Sequence, residues 1–554
     1  MLKKDSYEYE TEKPGTVFIV STIIVFLFVV WGFIRPDQLA KVANAGLDFM
    51  IETFGWYYMI VASLFVLFVI FLAVSPYGKL RLGKPDDRPE FSFYSWIAML
   101  FAAGIGVGFV FWGVAEPVLY YEDTPLGQTV SSDTEAARLA LNYGIFHWAI
   151  HPWAIFSLAA LALGYVQFRK DQPALISSAF YPLFGNSVRG KLGQVIDILA
   201  VLATSTGVAT TFGLSAMQIS GGLSHLTGLP NTTATQLIII AIVAVLFMIS
   251  TASGLDKGIR YLSNINLTIA AILLLFVLFV GPTVSLLENF TSSLGGYVSN
   301  LIPMSLTMTP FSDNSWLGTN TIFYWAWHIS WAPFMGLFIA RISRGRTIRQ
   351  FVAGALLLPA FLAVLWFSVF GGAALHLEIT GIAPIVEIVH DTVELALFVT
   401  LEQYPLAFIT CGIAVILIVI FFITSADSAS YTLGAMTSKG SLHPNLFSKL
   451  TWGILIAGTA AVLLLSNGLE ALQTASIIAA LPFSFIMIMM IISMVKMFEG
   501  DRKKLQQQQI EKRREAFKEE VREEIFEELE EAIDDFDREA IENKTTDENT
   551  NKNS

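Results

Sequence analysis

Residues 323–346 read Phe-Tyr-Trp-Ala-Trp-His-Ile-Ser-Trp-Ala-Pro-Phe-Met-Gly-Leu-Phe-Ile-Ala-Arg-Ile-Ser-Arg-Gly-Arg, an apolar stretch long enough to cross a bilayer that ends in a burst of arginine. Trp325, Trp327 and Trp331 fall within one short stretch of it. Lipid-facing tryptophan collects at the membrane–water interface, so a cluster running down one helix asks for another explanation. Aromatic faces attract cations without carrying a net charge, and recognition of quaternary ammonium groups is their best-known use. A site for a methylated ammonium solute needs such residues.

The rest of the chain agrees with a bilayer environment. Of its 554 residues 54% are hydrophobic and only 14% charged, and the mean hydropathy is +0.60. Soluble domains carry about 25% charged residues, so the chain reads as an all-α membrane protein. Its single cysteine, Cys411, permits no disulfide framework. The first apolar stretch, 16–34, is too long for a signal-peptide core and lacks a small-residue cleavage site, so it is expected to stay as a span. From Asp501 onward, 18 acidic and 11 basic residues supply seven of the twelve net negative charges. The remainder is spread thinly, and no nucleic-acid surface is implied.

A hydrocarbon core of roughly 30 Å asks for about 20 apolar residues per helix. Such runs lie near 16–34, 57–75, 93–113, 143–165, 195–222, 235–253, 261–282, 318–340, 350–373, 405–435, 449–465 and 472–496, which makes twelve. An even number places both termini on one side, and basic loop residues choose the side. One face holds Lys79, Arg81, Lys84, Arg88, Arg169, Lys170, Arg341, Arg344, Arg346 and Arg349 among others, whereas the opposite face holds only Arg35, Lys41 and Arg138. Both termini are therefore expected to be cytoplasmic.

Three spans carry features that lipid would punish. Gly104, Gly106 and Gly108 alternate in the third span, each costing about 1 kcal/mol relative to alanine in a helix. They predict either a loosened helix lining a cavity or close helix packing through small residues. The fourth span holds His147, Trp148, His151, Pro152 and Trp153. Its two tryptophans stand about 140° apart on an ideal helix, so they share a face only if Pro152 distorts the turn. His147 and His151 have metal-ligand spacing, but no third ligand accompanies them, and interhelical hydrogen bonding is the better reading. The tenth span holds Thr424, Ser425, Asp427 and Ser428. Hydroxyls and carbonyls there suit a hard cation such as sodium, against the plainer reading that the hydroxyls bond back along their own helix. The seven histidines assemble no catalytic constellation by spacing, so an enzyme is not expected.

These residues resemble the betaine/choline/carnitine transporter family over nearly the full length, through Phe101–Gly108, Ala115-Glu116-Pro117, Phe146–Phe156, Trp325–Arg346 and Thr424–Ser428. The resemblance implies two inverted, LeuT-like repeats of five helices each, formed by spans three to seven and eight to twelve. It divides the chain into a cytoplasmic N-terminal segment (1–15), two additional helices (16–92), a first repeat (93–282), an external loop or helix (283–317), a second repeat (318–496) and a cytoplasmic acidic helix and tail (497–554). It implies sodium-coupled symport of zwitterionic compatible solutes, glycine betaine or ectoine, for osmoprotection. The alternative is a proton-coupled choline or carnitine transporter or exchanger. It further implies a homotrimer in a bacterial plasma membrane and no cofactor beyond sodium as the coupling ion.

Residue by residue, the family's aromatic box falls on Trp148, Trp153, Phe156 and His328, with Thr211, Trp327 and Trp331 alongside. Phe156 stands where tyrosine is usual and His328 where tryptophan is usual, which reads as a site tuned away from a fully methylated ammonium or broadened to bulkier zwitterions such as ectoines, against the plainer reading of a structural histidine turned away from the solute. The family's sodium site falls on the carbonyls of Ala102 and Ile105 together with Phe421, Thr424 and Ser425. A second sodium site falls on Thr204 with Phe334 as its aromatic neighbour, but its other threonine is replaced by Val208. Choline carriers of the family tend to place an aspartate at position 108, so Gly108 favours a zwitterion. In the tail, Phe517, Val521, Ile525, Leu529, Ile533 and Phe536 recur at helical spacing. Composition beyond Ile541 reads as disordered. Similar transporters use such a helix to sense osmotic stress, but this one is acidic, which disfavours attachment to anionic lipid.

Overall fold

In a computed structural model of the chain, residues 14–551 are described, apart from 105, 254–255, 312–314 and 442. The architecture among them is helical throughout, and the one strand-like pairing is the isolated bridge between Arg81 and Thr347. The chain opens with α1 (Thr16–Ile34), α2 (Pro36–Val74), α3 (Phe93–Gly104), α4 (Val107–Glu122), α5 (Asp133–Trp148) and α6 (Ile150–Lys170). A short α7 (Tyr181–Phe184) precedes α8 (Lys191–Thr227), α9 (Thr233–Ser253), α10 (Asp256–Val280) and α11 (Thr283–Leu306). After α12 (Ser315–Leu317) a π-helical turn at Gly318–Ile322 leads into α13 (Phe323–Ile342) and then α14 (Ile348–Ile379). The short α15 (Ile385–Asp391) and α16 (Ala396–Glu402) precede α17 (Ala407–Thr437) and α18 (Leu446–Asn551).

Nine helical segments among the described residues are long and apolar enough to cross a membrane. The twelve apolar runs map onto this set with understandable differences. The run at 93–113 is split between α3 and α4, of 12 and 16 residues, because Gly106 adopts an extended conformation (φ −126°, ψ −177°). Neither piece alone reaches spanning length. The run at 318–340 becomes α13, whose length suffices but whose apolar content is diluted by histidine, serine and aromatic residues. The last two runs both fall in α18, which breaks at Asn467 and Gly468 (φ 56°, ψ −128°), a left-handed backbone that glycine adopts freely.

Burial separates the middle of the bundle from its rim. Within its spanning window the α5–α6 rod is 94% buried, whereas α1 is 22% buried and α9 is 28% buried. Side chains such as Phe26, Leu67, Leu246, Phe279 and Ile416 point outward, as apolar chains do when lipid is the solvent. The most extensive helix–helix contact is α13 on α6. Small residues permit it: a Cβ on Gly336 would lie 2.7 Å from Ala159 Cβ. That is the close approach by which membrane helices associate in place of a hydrophobic drive.

By packing, the chain divides into residues 1–494 and residues 495–554. In the second unit Phe517, Ile525, Leu529, Ile533 and Phe536 are all exposed. The helix runs on to Asn551, past the point where composition favours it.

Candidate functional site

Two interruptions of regular helix build the site. The first separates α3 from α4 at Gly106, so that α4 begins inside the bundle with no side chain capping its N-terminus. The second separates α5 from α6 at Ala149 (φ −90°, ψ −117°). Pro152 has no N–H to offer the Trp148 carbonyl, and the Ile150 amide is taken instead by the Tyr297 hydroxyl of α11 at 3.1 Å. The break turns Trp148, at the end of α5, and Trp153, in the first turn of α6, toward one space. An unbroken helix would have held them far apart around its axis.

That space is a partly open cavity lined by Gly106, by Val107, Gly108 and Phe109 of α4, by the α5–α6 break, by Thr211 of α8, by Trp327, His328, Trp331 and Met335 of α13, and by Ser425 of α17. Trp148, Trp153, Phe156, Thr211, Trp327, His328 and Trp331, singled out from the sequence for a solute, all line it. The rings meet largely edge to face. Trp148 lies 5.8 Å from Trp327 and 5.4 Å from His328, both near perpendicular, and Phe156 lies 5.6 Å from His328. Trp153 meets Phe156 at 5.9 Å.

Two glycines make the close ring packing possible. A Cβ on Gly108 would lie 2.6 Å from Trp148 Cη2 and 2.7 Å from Trp327 Cη2. A Cβ on Gly207 would lie 2.7 Å from Trp331 Cδ1, and the Gly207 carbonyl accepts from Trp327 Nε1 at 3.2 Å.

The polar atoms at the wall leave capacity for a guest. His328 Nδ1 and Trp331 Nε1 are buried without a hydrogen bond of good geometry among the described residues. The backbone neighbour of His328 is the Tyr324 carbonyl one turn earlier. The uncapped amides at the start of α4 carry the positive end of a helix dipole, which favours an anionic group.

Of the residues expected to hold sodium, Ser425 lines the cavity and Thr424 and Phe421 sit on the same helix, α17. Thr424 Oγ1 donates to the Ile420 carbonyl at 2.9 Å and approaches that of Phe421 at 3.2 Å. The back-bonding reading is thus what the geometry displays, yet it uses only the hydroxyl proton and leaves the oxygen lone pairs for a cation. Ile105 lies outside the described residues, and Ala102 is described only as part of α3.

The second ion position gathers less. Thr204 Oγ1 bonds back to the Ala200 carbonyl at 2.8 Å, and Val208 offers a buried hydrocarbon. Phe334 packs 5.3 Å from Trp331, but neither it nor Thr204 lines the cavity. Thr206 bonds back to Leu202, while Thr210 reaches across to the Leu472 carbonyl and Ser476.

His147 and His151 take structural partners. His147 Nε2 meets Thr321 Oγ1 at 2.9 Å and His151 Nε2 meets Ser305 Oγ at 3.2 Å, while the His151 ring stacks on Trp325. No cluster of three candidate metal-ligating side chains occurs among the described residues. Sequence reasoning quoted Glu116 only as part of a motif. The structure places it fully buried behind Trp148, accepting from its indole N–H at 3.0 Å. Its signal was an acid within an apolar run, which membranes rarely tolerate without a purpose.

The pattern of the "BCCT, betaine/carnitine/choline family transporter" matches residues 16–503. The chain is 49% identical over 494 residues to the glycine betaine transporter OpuD of Bacillus subtilis, covering 89% of this chain and 96% of that one. It is 44% identical over 491 residues to an ectoine/hydroxyectoine transporter of Virgibacillus pantothenticus, covering 89% and 98%. It is also 41% identical over 495 residues to glycine betaine transporter 1 of Vibrio parahaemolyticus, covering 88% and 94%.

Proposed function

The chain belongs to the betaine/carnitine/choline transporter family, and from that premise we propose that it is a sodium-coupled symporter of zwitterionic compatible solutes, glycine betaine or an ectoine, serving osmoprotection. The observation that carries the reading is the cavity itself, whose wall combines aromatic rings from two separate helical elements with the bare N-terminus of α4. A zwitterion fits that combination. Its ammonium end faces the rings of Trp148, Trp153, Trp327 and Trp331, and its carboxylate faces the α4 amides. The names of the relatives, which span glycine betaine and ectoine carriers, accord with this substrate class.

In this reading the chain crosses a bacterial plasma membrane twelve times with both termini cytoplasmic, assembles as a homotrimer, and pairs residues 93–282 with 318–496 as inverted repeats. Sodium lies beside Thr424 and Ser425, within reach of the cavity wall. Solute and ion together favour the occluded state, since only differential binding can move such an equilibrium. The test is uptake of betaine, ectoine, proline, carnitine and choline into proteoliposomes with and without a sodium gradient. Betaine or ectoine should accumulate only with sodium. Choline or carnitine uptake indifferent to sodium replaces this reading with the proton-coupled or exchanging alternative.

His328 sets the balance between solutes. An imidazole offers a smaller face than indole and adds hydrogen-bonding nitrogen, which suits the ring N–H of an ectoine better than three methyl groups. His328→Trp is expected to improve betaine competition relative to ectoine by about tenfold, the scale of one cation–π contact. Equal shifts for both solutes in a competition-uptake assay contradict that role.

A further inference from the structure

Glu116 touches the wall of the cavity from behind, through Trp148. It lies on α4 with no exposed surface. One oxygen accepts from Trp148 Nε1 at 3.0 Å, the other bonds His147 Nδ1, and the hydroxyls of Tyr120 and Tyr324 converge on the same group. His147 is held in turn by Thr321, in the π-helical turn that opens α13, and its ring stacks on Tyr324 at 4.7 Å. An indole N–H can only donate, and the Tyr120 and Tyr324 hydroxyls are placed to donate beside it, so the group is set up as an acceptor, with His147 Nδ1 adding a further donor in the tautomer that carries its proton there. The arrangement satisfies the charge that a bilayer interior otherwise penalises.

The same indole presents its ring to the cavity, perpendicular to Trp327 and His328. A carboxylate accepting from the indole nitrogen pushes electron density into the ring. It also places a negative charge behind that ring in a region where fields are weakly screened. Both effects deepen the attraction of the ring face for a cation. We propose that Glu116 is a positioning and specificity-determining residue: through the Trp148 indole N–H it fixes and electronically strengthens the cation-binding face of the cavity, so that the ammonium end of the solute docks against Trp148.

This inference rests on the transport reading above, and the experiment separates the two. Binding of glycine betaine and of its carbon isostere 3,3-dimethylbutyrate, which keeps the carboxylate but lacks the positive charge, is measured by calorimetry on purified wild-type and Glu116→Gln protein. Glutamine keeps an acceptor for Trp148 but removes the charge. The affinity for betaine is expected to fall about tenfold while that of the weakly held isostere stays unchanged, so selectivity for the cation narrows. A purely structural role would weaken both ligands by the same factor, and that result, or no change in either, overturns the inference. If Glu116→Gln fails to fold, Trp148→Phe, which keeps a ring and deletes the N–H, is expected to show the same narrowing, and an unchanged ratio overturns the proposal. Wild-type protein that binds neither betaine nor ectoine overturns the transport reading and this inference together. Selective wild-type binding with an unaltered Glu116→Gln ratio overturns this inference alone.

Discussion

Gly108→Leu is expected to reduce solute uptake more than about a hundredfold in protein that still reaches the membrane. The first side-chain carbon at this position already collides, at 2.6 Å and 2.7 Å, with the outer carbons of Trp148 and Trp327. Neither ring is free to swing aside. Trp148 is tied through its N–H to Glu116 and Trp327 to the Gly207 carbonyl. Moving both forfeits two cation–π contacts of about 1–2 kcal/mol each, and about 1.4 kcal/mol corresponds to tenfold in affinity. Overpacking adds about 1–3 kcal/mol of strain in the protein itself, so the amount of folded protein in the membrane must be measured beside uptake. Near-normal uptake at normal abundance would mean that the rings do not form the site.

Trp331→Ala carries the second large effect. Trp331 is only partly buried, lines the cavity, and leaves no hydrogen-bond partner among the described residues orphaned when removed. Its loss should therefore act on binding more than on folding. Deleting one indole face from a desolvated ammonium site costs about 2 kcal/mol, so the betaine concentration for half-maximal uptake should rise about thirtyfold. Trp331→Phe should recover most of it. If alanine and wild type share the same half-saturation, Trp331 does not touch the solute.

How much of this was legible in the sequence depends on the range of the interaction concerned. The apolar runs announce spans because lipid imposes a length on each helix locally. The alternating glycines announced an interruption near Gly106 for an equally local reason, the cost of glycine in a helix. The break at Ala149 was only half readable. Pro152 marks the neighbourhood, but the backbone turns three residues earlier, because the freed Ile150 amide finds Tyr297 on a distant helix. No nearby residue encodes that contact.

Ring chemistry pointed to a cation at Trp325–Trp331, yet the assignment of Trp153, Phe156 and Thr211 to the same cavity came through family resemblance, since their convergence is a tertiary fact. Glu116 illustrates the remainder. Its type and its apolar surroundings were visible, but its partners come from α5 and α13 as well as its own helix. Thr204 shows the converse, a promising hydroxyl that its own helix satisfies.

The central claim is that a positively charged ammonium group is held by aromatic faces between the α5–α6 break and α13. The most direct measurement is the affinity of purified protein, in sodium, for glycine betaine against 3,3-dimethylbutyrate, which has the same shape and carboxylate but no positive charge. The account predicts that this compound, which lacks the cationic group, binds at least about tenfold more weakly. Equal affinities would contradict it, because shape and the carboxylate alone would then account for binding.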